Sequence, residues 1–141
     1  MNTSRVKTWQ SALDAVLRER MTRPFALSEN DCAMFAADCV KAVTGHDFAA
    51  DWRGAYRTEA EAAAGLAQLG GSLRKIAATR LGEEVGWGMA QAGDIALVHF
   101  EGRETFAVCT GNALCAPGGQ GLVQIPVSRA LTVWRCCRKE D

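Results

Sequence analysis

The residues of this chain best suited to chemistry near neutral pH are its six cysteines and two histidines. Cys32 follows Ser28-Glu29-Asn30-Asp31 and opens the run CAMFAADCVKAV. This places it in the first turn of a helix whose N-cap is Ser28, Asn30 or Asp31. Unpaired amides and the helix dipole at such a position favour a thiolate and lower the thiol pKa below its free value of about 8.5. A cysteine hydrolase keeps its nucleophile in this kind of place. The adjacent Asp31 carboxylate opposes that effect. Cys32 also begins a stripe with Phe35, Ala36, Cys39, Val40 and Val43, which alone would make it one more buried residue of a core helix. A nucleophilic role needs a base, and the two histidines supply the choices. His46 follows the C-cap glycine Gly45, about 20 Å from Cys32 along the helix at 1.5 Å per residue. His99 closes the apolar run IALVHF.

The remaining cysteines show no metal-ligand spacing. No CxxC pair occurs, and Cys136 and Cys137 are adjacent. A metal or iron–sulfur centre built from Cys109, Cys115 and the Cys136-Cys137 pair would need one sheet to gather them, whereas neighbours in a strand point to opposite faces. Buried small apolar residues are the simpler reading, and no cofactor or metal is expected. The N-terminus has no apolar run that would serve as a signal peptide, and no stretch reaches the roughly 18 residues of a membrane span. The thiols are therefore expected to stay reduced in a cytoplasm.

The elements that must position these groups divide into a helical first half and a strand-rich second half. Val6, Trp9, Leu13, Val16, Leu17 and Met21 recur at helical spacing, and Pro24 ends that segment. The helix after Asp31 runs to Thr44-Gly45. Thr58-Glu59-Ala60-Glu61 has the pattern of a capping box and starts an alanine-rich helix, and Ser72 caps a shorter one, LRKIAATRL. From Asp94 onward, IALVHF, TFAVCT, ALCA, GLVQI and LTVWRC alternate or are short apolar runs, separated by turn residues, as in an antiparallel meander. Taking EGRE as the connection pairs Phe100 with Thr105 and His99 with Phe106. The whole, residues 1–141, reads as one α+β domain with N-terminal helices packed on a small antiparallel sheet. Sixteen basic and sixteen acidic residues cancel, which excludes the charge footprint of a nucleic-acid binder and favours association with protein partners. Trp9 and Trp134 belong to apolar patterns, whereas Trp52 and Trp87 lie in loops suited to subunit contacts. RCCRKED reads as a frayed terminus.

Asn30-Asp31-Cys32-Ala33-Met34-Phe35 resembles the Asp-Cys-Ser-Gly-Phe signature of NlpC-like cell-wall peptidases, and Gly93-Asp94-Ile95-Ala96-Leu97 resembles their Gly-Asp-Leu-Val-Phe strand. Thr110-Gly111-Asn112 is similar to the end of their His-Val-Gly-Ile-Tyr-x-Gly-Asn strand, so that the likeness covers about residues 5 to 135. With PFALSENDCAMFAADCVKAVTG, WRGAYRT and CAPGGQGL, the chain is also similar to a small domain family of unknown function encoded among the tail-tip genes of tailed phages and prophages. The resemblance implies a papain-like fold with Cys32 at the nucleophile position. It places the family's histidine at Thr105 and the polar residue that orients it near Cys115. A threonine hydroxyl cannot take a thiol proton near neutral pH, so the resemblance implies a scaffold without its base. His99 is the substitute available in sequence, although the EGRE pairing turns it to the face opposite Thr105.

Two functions follow as expectations. One is a structural component of a phage, prophage or gene-transfer-agent-like tail tip or baseplate hub, assembled in the host cytoplasm with other tail proteins and carried in the virion. The other is an active hydrolase of peptidoglycan stem peptides, with Cys32 as nucleophile and His99 or a partner's residue as base.

Overall fold

A computed structural model describes residues 4–137. Four helices come first: α1 (Trp9–Arg20), α2 (Cys32–Thr44), α3 (Glu59–Leu69) and α4 (Leu73–Arg80). Six strands follow: β1 (Glu84–Val85), β2 (Ile95–Phe100), β3 (Arg103–Cys109), β4 (Leu114–Gly118), β5 (Gly121–Ile125) and β6 (Thr132–Trp134). They form one antiparallel sheet in the order β1-β6-β2-β3-β4-β5. The α+β class and the helices-then-sheet order agree with the sequence reading. The meander holds from β2 to β5, but β6 returns to lie between β1 and β2 instead of extending the far edge. The glycine-rich loop EEVGWGMAQAG is also not bare: it holds β1 and a 3₁₀ turn over Trp87–Met89. Among the described residues no helix is long and apolar enough to cross a membrane.

The ends of the helices follow from local chemistry. Asp31 is the N-cap of α2, its side chain accepting from the Met34 amide, and Gly45 ends the helix in the left-handed region at φ 79°. Thr58 and Ser72 cap α3 and α4 as expected. The capping box of α3 is only half formed, because the Glu61 carboxylate takes the Arg57 amide (2.8 Å). α1 is shorter than its apolar pattern, starting at Trp9, with the Val6 amide bonded instead to the Val43 carbonyl at the end of α2.

α2 is buried nearly all round and packs on the sheet face that carries Ile95, Leu97, Phe106, Val108, Cys115 and Trp134. The other face holds a second cluster, with Ala96, Val98, Ala107, Leu114 and Val133, closed over by Val127 and Ala130 of the segment before β6. Trp52 is in the first cluster at 5% exposure, which corrects its expected place at a subunit contact, while Trp87 is 51% exposed. Trp9 is partly buried and Trp134 fully so.

The β2–β3 connection differs from the expected one. Glu101 (φ 52°) and Gly102 (φ 81°) form a two-residue turn, so that Phe100 pairs with Arg103, Val98 with Thr105 and His99 with Glu104. Both turn residues lie at positive φ, the geometry whose twist suits a tight hairpin, and this frees Arg103 and Glu104 to enter the strand. The register moves by two residues, which preserves side-chain parity. His99 and Thr105 therefore still alternate to opposite faces.

Candidate functional site

The loop before α2 delivers Cys32 through a set of buried polar bonds. Asn30 is buried; its amide nitrogen donates to the Arg23 and Pro24 carbonyls (3.2 and 3.0 Å), and its Oδ1 accepts from Arg20 (3.1 Å). Arg20 in turn pairs with Asp38 on α2. Asp31 then uses both carboxylate oxygens. Oδ1 accepts from the Met34 amide (2.9 Å), while Oδ2 accepts from the Ser28 amide (2.9 Å) and from the Tyr56 hydroxyl. Ser28 sits at φ 73°, a conformation rare for a residue with a side chain, which the bond to Asp31 helps to hold.

Cys32 is the first residue of α2 and is partly exposed at the floor of a cleft of about 570 Å³. Phe25, Leu27, Tyr56, Arg103 and Pro117 are among the residues lining it, with α3 forming one wall. Arg103 meets Glu59 of α3 at 3.5 Å, both being cleft-lining residues with exposed side chains. The cleft exists because β4 pairs with β3 only at Val108↔Cys115 and Cys109↔Leu114. Beyond that point the strands part, and the Phe106 amide is left to face the Cys32 sulfur.

The electrostatics run opposite to the expectation from helix position. Burial of the sulfur pushes the Cys32 thiol from an ordinary value near 9 up to about 11. Asp31 adds to this, and the Phe106 and Ala33 amides and Arg103 pull the other way without overcoming it. Burial of the sulfur outweighs the effect of the helix start here, and the capping carboxylate beside it acts in the same direction as burial. The Tyr56 hydroxyl is likewise pushed upward, by burial first and then by its bond to Asp31. It is a donor to a carboxylate and not a source of negative charge.

No histidine lines the cleft among the described residues. His99 is exposed and lies across from Glu104, and His46 is exposed beyond the end of α2. Thr105 lines the cleft, but its hydroxyl donates back to the Arg103 carbonyl (3.3 Å). Cys115 is buried in the helix-side core, where it neighbours Cys39. Among the described residues no three His, Cys, Asp or Glu side chains come together as metal ligands. The feature that sequence reasoning passed over is Tyr56. It is the chain's single tyrosine, in the WRGAYRT loop, and it stacks at a tilt on Trp52 with centroids 5.6 Å apart.

Asp94 of the Gly-Asp strand lies away from the cleft lining, fully buried, and acts as an anchor. Its carboxylate accepts from the Gln91 amide (2.9 Å), Arg135 (2.9 Å) and the Cys136 amide (3.2 Å), with Arg5 at 3.6 Å. Arg135 and Cys136 are thus tied down, which corrects the frayed-terminus reading for those two residues; positions 138–141 lie outside the described residues.

These features define an α+β domain with a cysteine at a helix start, set in a cleft between helices and an antiparallel sheet. The chain belongs to the DUF6950 family, a domain of unknown function, whose model matches residues 4–136. No curated protein matches it.

Proposed function

We propose that this chain is a non-catalytic domain on an NlpC-like, papain-like scaffold that serves as a structural component of a phage, prophage or gene-transfer-agent-like tail tip or baseplate hub. In this reading it assembles with other tail proteins in the host cytoplasm and is carried in the virion. The assignment to a tail rests on the likeness of the motifs around Cys32, Gly93-Asp94 and Cys115-Ala116-Pro117-Gly118 to the tail-tip domain family. The observation that carries the non-catalytic reading is the setting of Cys32: a thiol whose pKa burial pushes up to about 11, beside the Asp31–Tyr56 pair, in a cleft that no histidine lines among the described residues. Nucleophilic catalysis by cysteine needs a thiolate and a group to take its proton; burial works against the first at Cys32, and among the described residues no histidine lines the cleft to serve as the second.

The test is genetic and biochemical together. Particles carrying Cys32→Ala should assemble and infect like the parent, whereas deletion of the gene should abolish tails, and antibody should mark the tail tip. A Cys32→Ala particle as defective as the deletion, or release of stem-peptide fragments from sacculi by the purified protein, would overturn the non-catalytic reading. Absence of the protein from particles would overturn the tail assignment.

The hydrolase reading keeps one favouring observation, the Phe106 amide facing the Cys32 sulfur in a cleft of about 570 Å³. Its base would come from a partner protein or from a movement of His99, and peptidoglycan would be its substrate.

A further inference from the structure

β6 ends at Trp134, and Cys136 and Cys137 follow in a bend, so strand alternation does not send their side chains to opposite faces. Their sulfurs lie 3.6 Å apart, and among the described residues no other two sulfurs are in such contact. Cys136 is buried in the helix-side core, while Cys137 is partly exposed. The backbone on one side of the pair is held by Asp94, which binds both the Arg135 guanidinium and the Cys136 amide. Arg5 shares the pocket. Its Nη1 is buried with no hydrogen-bond partner, and it comes within 3.0 Å of the point a Cβ on Gly93 would occupy. The Cys136 sulfur lies 3.7 Å from the same point, as does the Val43 side chain at 3.3 Å. Val43 lies eleven residues along α2 from Cys32, about 17 Å at the helical rise. The dithiol is therefore at the end of α2 opposite the cleft.

We propose that Cys136 and Cys137 are an oxidisable dithiol that a hydroperoxide converts to a vicinal disulfide. Cys137 is the point of entry because it is the partly exposed member of the pair. As the thiolate it attacks the distal oxygen of the hydroperoxide. A sulfur–oxygen bond forms, the oxygen–oxygen bond breaks, and the departing oxygen takes a proton from solvent to leave as an alcohol, or as water from hydrogen peroxide. The Cys136 thiol then loses its proton to solvent and attacks the sulfenyl sulfur. The sulfur–sulfur bond forms, the sulfur–oxygen bond breaks, and the hydroxyl group leaves as water after taking a proton. Two electrons pass from the two thiols to the peroxide. Burial pushes the Cys136 thiol up to about 12, and the Arg5 guanidinium partly offsets this for the anionic sulfur of the second step, which proceeds through the minor thiolate form and is therefore slower than the first. Cys39, Cys109 and Cys115 are buried, and among the described residues Cys32 has no second sulfur in contact to trap a sulfenic acid.

The experiment treats the folded full-length protein with one equivalent of hydrogen peroxide, alkylates the remaining thiols after unfolding, and maps tryptic peptides by mass. The expected product is the peptide Cys136-Cys137-Arg138 lacking two hydrogens and carrying no alkyl group, with Cys32, Cys39, Cys109 and Cys115 alkylated. In Cys137→Ser, Cys136 should be recovered alkylated. The proposal is overturned if the wild-type peptide is doubly alkylated, if Cys32 is oxidised first, if Cys137 goes on to the sulfinic acid beside an alkylated Cys136, or if the disulfide joins two chains.

Discussion

The Tyr56 hydroxyl donates to Oδ2 of Asp31, the carboxylate whose other oxygen caps the helix that begins with Cys32. One buried acid therefore ties a loop that lies 25 residues further along the chain to the start of α2. Removing the hydroxyl leaves the charged carboxylate buried with one fewer donor. Tyr56→Phe is expected to cost about 1–3 kcal/mol, read as a lower urea midpoint with an unchanged slope. A midpoint equal to that of the parent would mean that the bond contributes nothing net.

The raised Cys32 pKa gives a pH dependence with a definite sign. A group whose folded pKa lies above its unfolded value stabilises the fold fully below the unfolded pKa and loses that contribution as pH rises through the folded value. For Cys32 that window runs from about 9 to about 11, and Tyr56 is shifted in the same direction. Thermal stability should thus decline over this alkaline range, and less steeply in Cys32→Ser. Alkylation of Cys32 in the folded protein should keep rising up to a pH near 11. A plateau near neutrality would show a thiolate and contradict the assigned environment.

Glu101 occupies a left-handed position in a two-residue turn that suits asparagine or glycine better. Glu101→Asn should raise stability by about 0.5–1 kcal/mol in chemical denaturation. Loss of stability would mean that the Glu101 side chain has a contact at the cleft mouth worth more than the backbone relief.

Asp94 holds two guanidinium groups and the Cys136 amide. Asp94→Asn keeps the volume but removes the charge, leaving Arg5 and Arg135 facing each other across a buried amide. Their side chains are 22% and 21% exposed, so the cost should fall at the lower end of the range for a broken buried pair, about 3 kcal/mol. The same variant should loosen the segment around Cys136, seen as faster exchange of its amide hydrogen. Exchange at the parent rate would place the anchor elsewhere.

Much of the fold was legible because it is written in local chemistry. Asp31, Thr58 and Ser72 are caps, Gly45 ends α2, and the apolar stripe of α2 faces the core. What was not legible depended on distant partners. The position of β6 between β1 and β2 follows from pairing that no periodicity encodes. Glu-Gly is a weaker hairpin signal than Asn-Gly, which is why EGRE read as a longer connection. Cys32 could be placed at a helix start, but its protonation state is set by the depth of the cleft and by which way the Asp31 carboxylate turns. Trp52 looked like a loop residue, and only the packing of Tyr56 and α3 around it makes it core.

The place of β6 also has a consequence in time. The strand that joins β1 to β2 is made of Thr132–Trp134 and follows α1–α4 and β1–β5 in the chain, so a nascent polypeptide on the ribosome carries all of these before β1 can be joined to β2. Closing that gap requires contacts of long sequence separation, which makes it a slow step. Until then the Leu97 and Ile95 edge is unpaired and open to pairing with another chain. Emergence of β6, rather than the formation of the helices, is therefore the event that joins β1 to the rest of the sheet, and a chain cut before Thr132 should accumulate as aggregate.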